Sequence, residues 1–311
     1  VILHPALAPA FAPAFAPAFA PAGVPAGAPW FARGAPVWMG ILNATPDSFS
    51  DGCRYATTPA ALVRAQELLA SGATVLDVGG VSTRPGAAEV PIEEEWSRVA
   101  PLLEALRASH PQACLSLDTS SPRVLARAAS AGLIDLANDV GAGRKQEDGT
   151  TTFDVCARYN LPLVLMHMQG EPGTMQREPR YGDVVGEVMA FLAARAAAAR
   201  AAGVAAVAVD PGIGFGKTLD HNLALLSATG MEALGSLGYP VLIGLSRKRF
   251  LAELEERRAA PRPDVLTLAA SRDGLSKAWE LRAADRGAIL IRSHRAPGET
   301  PPEPVDFPPE S

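Results

Sequence analysis

Eight polar side chains in this sequence stand where apolar runs end: Asn43, Asp77, Asp118, Asn138, Asp210, Lys248, Arg292 and His294. A carboxylate at the end of an apolar strand is costly to bury unpaired. Taken singly, each of these residues reads most simply as a helix N-cap or a loop salt bridge. Taken together, their equivalent positions point to one converging site. A mixed set of Asp, Asn and Lys suits a flat heteroaromatic ring with donors and acceptors along its edge. Carboxylates accept from ring N–H and amino groups, while an amide both donates and accepts. Lys248 lies between Arg247 and Arg249 in a chain with only four lysines, which marks it, although a solvated surface is its rival reading. Arg292 and His294 alternate along one strand end. With Asn43 and Mg2+ they suit a diphosphate, because cations and a hard metal neutralise phosphate oxygens. The rival there is a lone surface pair.

These residues need strands to carry them. Val37–Leu42 is an apolar run that reads as a buried strand. It runs into Asn43–Gly52, a polar, turn-rich loop that forms the first wall of the expected site. Further strands are expected at Ala73–Val78, Ala113–Leu117, Leu133–Ala137, Pro162–Met166, Val204–Val209, Val241–Ile243 and Ala288–Ile291. Helices are expected between them, over Thr58–Ala70, Ile92–Ser109, Phe153–Tyr159, Tyr181–Ala202 and Leu219–Ala228, with a helix-rich stretch over Arg249–Ala284. Glu93, Glu94 and Glu95 favour the dipole at one helix start. Ser121 and Pro122 open another as cap and first residue. Gly203 ends the long Ala-rich helix.

Eight strands alternating with helices predict an α/β fold, a (β/α)8 TIM barrel. An open doubly wound sheet would also alternate, but it concentrates its site at one switch point. Polar residues after all eight strands favour the barrel. Only Arg295–Ser311 follow His294, so a final outer helix is expected to be missing or degenerate. That would leave a flank uncovered, or covered by the leader or by another subunit.

The chain has 311 residues, 48% hydrophobic and 20% charged, which fits a soluble globular protein. A net charge of -5 and a pI near 5.6 argue against a nucleic-acid binder, which needs a basic footprint. Cys53, Cys114 and Cys156 show no Cys-x-x-Cys spacing, which favours reduced thiols in a cytoplasmic setting. No apolar run is long enough to cross a membrane. Residues 1–36 carry a Phe-Ala-Pro-Ala repeat from Phe11 to Ala22 and read as a disordered or polyproline-like leader. Residues 37–295 are then expected to form the barrel domain, and 296–311 a Pro- and Glu-rich disordered tail. The chain opens on Val1, as a piece of a longer protein would.

Gly212–Thr218 is similar to a phosphate loop but fails the Walker pattern, because Pro211 stands where the first glycine is needed. His167, between Met166 and Met168, lacks paired His or Cys spacing and reads as a packing or hydrogen-bonding histidine. No serine lies in a nucleophile elbow, which speaks against a covalent hydrolase.

At these residues the chain resembles the dihydropteroate synthase family. The matching pieces are Met39–Gly52, Leu76–Gly86, Leu117–Thr119, Asn138-Asp139, Leu165–Met168, Asp210–Lys217, Ser246–Lys248 and Arg292–His294, in order. The resemblance implies a barrel enzyme of folate synthesis that joins 6-hydroxymethyl-7,8-dihydropterin diphosphate to para-aminobenzoate. It implies that Asp118, Asn138, Asp210 and Lys248 hold the pterin, with Met166 packed against it. It places Asn43, Thr83, Arg292 and His294 on the diphosphate, with Mg2+ at Asn43. It places Phe49, Thr83, Arg84 and Pro85 around the aminobenzoate, with Lys248, Asp210 and Arg84 closest to the chemistry.

Some positions depart from the family pattern. Val81 replaces a common Glu, and Arg295 follows His294 where Asp is usual. Arg249 follows Lys248 where Ser is common, and could pair with the aminobenzoate carboxylate instead. Family members usually dimerise through late helices, so a homodimer is the expected assembly. Two other readings compete: a non-catalytic pterin-binding paralogue, and a methyltetrahydrofolate-dependent methyltransferase on a similar barrel.

Overall fold

The computed structural model describes residues 36–44, 58–82, 89–144, 146, 148–170, 173–258 and 273–299. All but the last residue of the expected leader and most of the expected tail lie outside these residues. So do Phe49, Thr83, Arg84, Pro85 and Cys53.

Eight parallel strands form one sheet: β1 Val37–Asn43, β2 Val75–Gly79, β3 Cys114–Asp118, β4 Leu136–Asp139, β5 Leu163–Met166, β6 Val207–Asp210, β7 Leu242–Gly244 and β8 Leu290–Ser293. Their order is β6-β5-β4-β3-β2-β1-β8-β7. A parallel bridge between Val209 and Val241 joins the two end strands, and the Val209 amide donates to the Pro240 carbonyl at 2.9 Å. The sheet therefore closes, which excludes the open doubly wound alternative.

Among the described residues the helices are α1 Thr58–Ala70, α2 Ile92–Ser109, α3 Pro122–Ser130, α4 Thr152–Tyr159, α5 Val184–Ala201, α6 Leu219–Leu226, α7 Ala228–Ser236, α8 Arg249–Arg258 and α9 Asp273–Asp285. The helix expected from Tyr181 starts at Val184, because Asp183 caps it through the Gly186 amide. The single helix expected over Leu219–Ala228 becomes two, because Ser227 ends α6 and caps α7.

The barrel interior is filled by one apolar side chain from every strand, from Met39 of β1 to Leu290 of β8, with Ala206 and Val37 below. Side chains alternate across a strand, so the residue two positions further on faces inward again. That rule turns Asn43, Asp77, Asp118, Asn138, Met166, Asp210 and Arg292 toward the barrel mouth. The register agrees, pairing Ile41 with Asp77, Asp118 with Asn138, and Met166 with Asp210. Most of the strands extend one or two residues beyond their expected ends, so these polar residues belong to the ladder.

No helix follows β8 among the described residues, which end at residue 299. The expected domain end at 295 is too early, however. Ala296 is buried, and its carbonyl accepts from Lys277 of α9 at 3.0 Å. The Gly298 amide donates to the Ser71 carbonyl at 2.8 Å, and Glu299 pairs with Arg64 of α1 at 2.9 Å. Residues 296–299 thus pack on the barrel. Lys277 also stands 4.0 Å over the ring of Trp38, which points outward from β1 and is only 5% exposed. That part of the flank is covered from within the chain. No helix among the described residues is long and apolar enough to cross a membrane.

Candidate functional site

Arg292 lies at the centre of the mouth. Its Nε donates to Asp77 Oδ2 at 2.6 Å, and a terminal nitrogen donates to Asp118 Oδ2 at 2.7 Å. The Asn138 amide donates to the same Asp77 oxygen at 3.1 Å. Four strands therefore meet through one cation and two carboxylates. Burial alone would lower the guanidinium pKa, but Asp77 and Asp118 outweigh it and hold the group further in its charged form. Asp118 behaves differently. Burial pushes its pKa up to about 7, the charges of Asp77, Glu95 and Asp139 add to that, and Arg292 opposes it. Among the described residues, Asp77 Oδ1 and Ser116 Oγ, on register-paired residues of β2 and β3, have no hydrogen-bond partner.

The opposite wall comes from the ends of β6 and β7. Asp210 Oδ1 accepts from the Gly212 amide at 2.7 Å. Burial raises the Asp210 pKa, while Lys248, that amide, Lys217 and Arg292 oppose the rise. Lys248 donates to the Ile213 carbonyl and lies 4.6 Å over the Phe215 ring. Burial lowers its pKa to about 8, Asp210 opposes the shift and Arg292 adds to it. Gly244 borders this corner: a Cβ there would stand in ordinary contact, 3.7 Å from the Arg292 side chain and 4.0 Å from Lys248 Nζ.

Lys248 follows a residue under strain. Arg247 has φ 60°, a left-handed conformation costing roughly 1–3 kcal/mol for most side chains. Asp273 offsets that cost. Its carboxylate takes Arg247 Nε at 2.8 Å and a second guanidinium nitrogen at 3.2 Å. The same carboxylate accepts from Arg295 at 2.6 Å. Arg295, which departs from the family pattern, thus joins the start of α9 to the loops after β7 and β8.

Other expected site residues fall as follows. Met166 is buried and inward at the end of β5. Asn43 is half-buried at the end of β1, in register with Gly79. His294 reaches the loop after β7, with Nδ1 3.0 Å from Ser246 Oγ. Arg249 does not join the cluster: it is 87% exposed at the side chain and pairs with Glu253 of its own helix at 3.0 Å. Thr83, Arg84, Pro85 and Phe49 lie outside the described residues.

The glycine-rich stretch after β6 is not a phosphate cradle. Its lysine, Lys217, is buried and turned inward onto the Gly212 and Phe215 carbonyls at 2.9 and 3.0 Å. His167 is the hydrogen-bonding histidine expected, 3.0 Å from Lys217 and edge-on to Phe191. Sequence reasoning missed Asp273 and gave Ser246 and Lys217 no role. The Ser246–Lys248 and Gly212–Lys217 motifs offered a signal for the last two.

A metal has few donors here. Among the described residues no three His, Cys, Asp or Glu side chains could hold an ion together. Asn43 offers one neutral oxygen.

The family model described as pterin binding enzyme matches residues 39–294. The dihydropteroate synthase of Neisseria meningitidis serogroup C is 44% identical over 262 residues, covering 83% of this chain and 87% of that protein. The solved structure of Yersinia pestis dihydropteroate synthase with a sulfonamide drug complex superposes with a TM-score of 0.74 at 39% identity, over 89% of this chain and 93% of that one. Xanthomonas albilineans dihydropteroate synthase in complex with 7,8-dihydropteroate gives a TM-score of 0.69 at 41% identity, over 84% and 88% of the two chains. Barrel, inward polar ladder and relatives agree, and the chain belongs to the pterin-binding enzymes, within the dihydropteroate synthase family.

Proposed function

We propose that this chain condenses 6-hydroxymethyl-7,8-dihydropterin diphosphate with para-aminobenzoate, giving 7,8-dihydropteroate and diphosphate. The observation that carries the reading is the facing pair of walls at the mouth. Arg292 with Asp77 and Asp118 forms one, and Asp210 with Lys248 the other. In this reading Asp118, Asn138 and Asp210 take donors along the pterin edge, Lys248 supplies a donor to it, and Met166 packs on its face. Arg292, His294 and Asn43 serve the diphosphate, joined by Thr83.

The reaction breaks the bond between the pterin methylene carbon and the diphosphate oxygen, and the leaving group takes the electron pair. The aryl amine attacks the methylene carbon and then loses a proton. No protein nucleophile is needed. The protein's part is to orient both partners and to hold positive charge where the leaving oxygen becomes more anionic. Arg292 and Lys248 are the described cations placed to do so. Mg2+ bound at Asn43 and the phosphates would neutralise further charge. Arg84, Pro85 and Phe49 complete the aminobenzoate side in this proposal. Arg249 does so only by exchanging Glu253 for the substrate carboxylate.

The buried free thiols Cys114 and Cys156 support a cytoplasmic setting. A homodimer through the late helices is proposed on family likeness.

Purified protein with pterin diphosphate, labelled para-aminobenzoate and Mg2+ tests the reading. Labelled dihydropteroate should form, and Lys248→Ala or Asp210→Asn should lower its rate at least about 100-fold, as loss of transition-state stabilisers does. A sulfonamide should inhibit, and added aminobenzoate should relieve it. Pterin binding without product would favour the paralogue, and methyl transfer to a corrinoid would favour the methyltransferase.

A further inference from the structure

Lys217 lies behind the substrate wall, not on it. Its ammonium is buried and fully engaged, with the Gly212 and Phe215 carbonyls at 2.9 and 3.0 Å and His167 Nδ1 at 3.0 Å. An ammonium has three protons and accepts nothing. Burial lowers the Lys217 pKa to about 7 and Asp210 opposes the shift; while the amine holds its proton, three acceptors saturate it, and His167 Nδ1 is then the unprotonated ring nitrogen. The His167 ring is kept neutral: burial first, and then the Lys217 charge, lower its pKa to about 3.

The groups that Lys217 binds are those that shape the wall. Gly212 donates its amide to Asp210. Phe215 carries the ring beneath Lys248. The His167 amide donates to the Asp210 carbonyl at 2.9 Å. Gly212 also leaves no freedom at the bend, with φ 66° and a built Cβ only 1.8 Å from the His167 carbonyl oxygen. Tyr181 closes the far side, its hydroxyl donating to the Gly216 carbonyl at 2.8 Å. The charged groups facing Asp210 are Lys248, Lys217 and Arg292.

We propose that Lys217, with neutral His167 as its acceptor, is a positioning residue that fixes the 211–217 loop and so presents Asp210 and Lys248 to the pterin. The inference rests on the synthase reading and adds two residues to it. Lys217 touches no substrate. It acts through the Asp210 carboxylate, the Gly212 amide and the Phe215 ring.

The test compares unmodified protein, Lys217→Met, Lys217→Arg and His167→Phe in the synthase assay across pH. Lys217→Met should raise KM for the pterin diphosphate about tenfold or more and leave KM for aminobenzoate unchanged. Loss of a cation facing Asp210 raises that carboxylate's pKa, so the acid limb of kcat/KM for the pterin should move to higher pH. Lys217→Arg should return the limb toward its original place. His167→Phe should raise the pterin KM in the same selective way, by less. An unchanged pterin KM and acid limb in Lys217→Met overturns the proposal, as does an equal rise in both KM values with the limb unmoved. Should Lys217→Met fail to fold, His167→Phe is judged by the same selectivity. Absence of product with unmodified protein would instead count against the synthase reading, which keeps the two failures apart.

Discussion

At the scale of single residues, the mouth holds two groups that titrate near neutrality from opposite sides. Asp118 is pushed up to about 7 and Lys248 down to about 8, both chiefly by burial. If the pterin needs an ionised acceptor at Asp118 and a cation at Lys248, kcat/KM for pterin diphosphate should rise through about pH 7 and fall through about pH 8. Asp118→Asn should remove the part of the acid limb that Asp118 contributes and leave the part set by Asp210, and Lys248→Arg should carry the alkaline limb upward, because guanidinium keeps its proton. A rate profile flat from pH 6 to 9 would mean that neither group titrates in the free enzyme. The folding linkage has its own sign. A carboxyl whose folded pKa is raised contributes stability fully below its unfolded value, and loses it as pH rises through the folded one. For Asp118 that window runs from about pH 4 to about 7, so its gain in activity is a loss in stability.

At the scale of elements, the loops after β7 and β8 are held from behind by the start of α9. Asp273 is almost fully buried and binds both Arg247 and Arg295. Arg247 precedes Lys248, and Arg295 follows His294, so one carboxylate anchors both sides of the expected diphosphate site. Removing one partner of a buried ion pair typically costs about 3–5 kcal/mol, because the remaining charges are stranded. Arg247 and Arg295 keep 19% and 32% exposure and Arg295 also meets Glu299, so Asp273→Ala should lower stability by less, about 1–3 kcal/mol in denaturant melts. It should also reduce kcat at temperatures where the variant is still folded. A stable variant with unaltered kcat would show that the left-handed turn at Arg247 holds itself.

This anchor was not legible in the sequence, because its partners lie 22 and 26 residues away from Asp273. The helices were easier. Thr58–Ala70 and Ile92–Ser109 have the boundaries that periodicity and terminal chemistry indicate. The apolar runs mark all eight strands but stop one or two residues short of most strand ends, since a polar residue reads as the start of a loop. Here Asp118 and Asn138 find partners on other strands and Asp210 takes the Gly212 amide, so the ladder continues through all three. The two-residue step from a barrel-filling side chain to a mouth residue was written in the sequence all along. Val75 to Asp77, Ala208 to Asp210 and Leu290 to Arg292 each follow it. Arg249 was the opposite case: adjacent to Lys248 in sequence, it begins α8 and turns to Glu253.

At the scale of the whole molecule, the barrel closes most thinly where the site needs both of its sides. Strands β1 and β2 share five register pairs, whereas β6 and β7 meet through the Val209–Val241 bridge. Asp210 stands one residue beyond that seam on β6, and Lys248 on the loop after β7. A pterin gripped by both would tie the seam together, so binding free energy would be stored partly as closure of the barrel. Amide exchange measures this directly. The Val209 amide, bonded to the Pro240 carbonyl, should exchange faster than the amides between β1 and β2 in the unliganded protein. A pterin compound should slow it at least about tenfold, equivalent to about 1.4 kcal/mol of added local stability. In Lys248→Ala the same compound should slow it far less, because one side of the bridge is gone. Equal protection in both proteins would mean that Asp210 and its own strand hold the ring without help from across the seam.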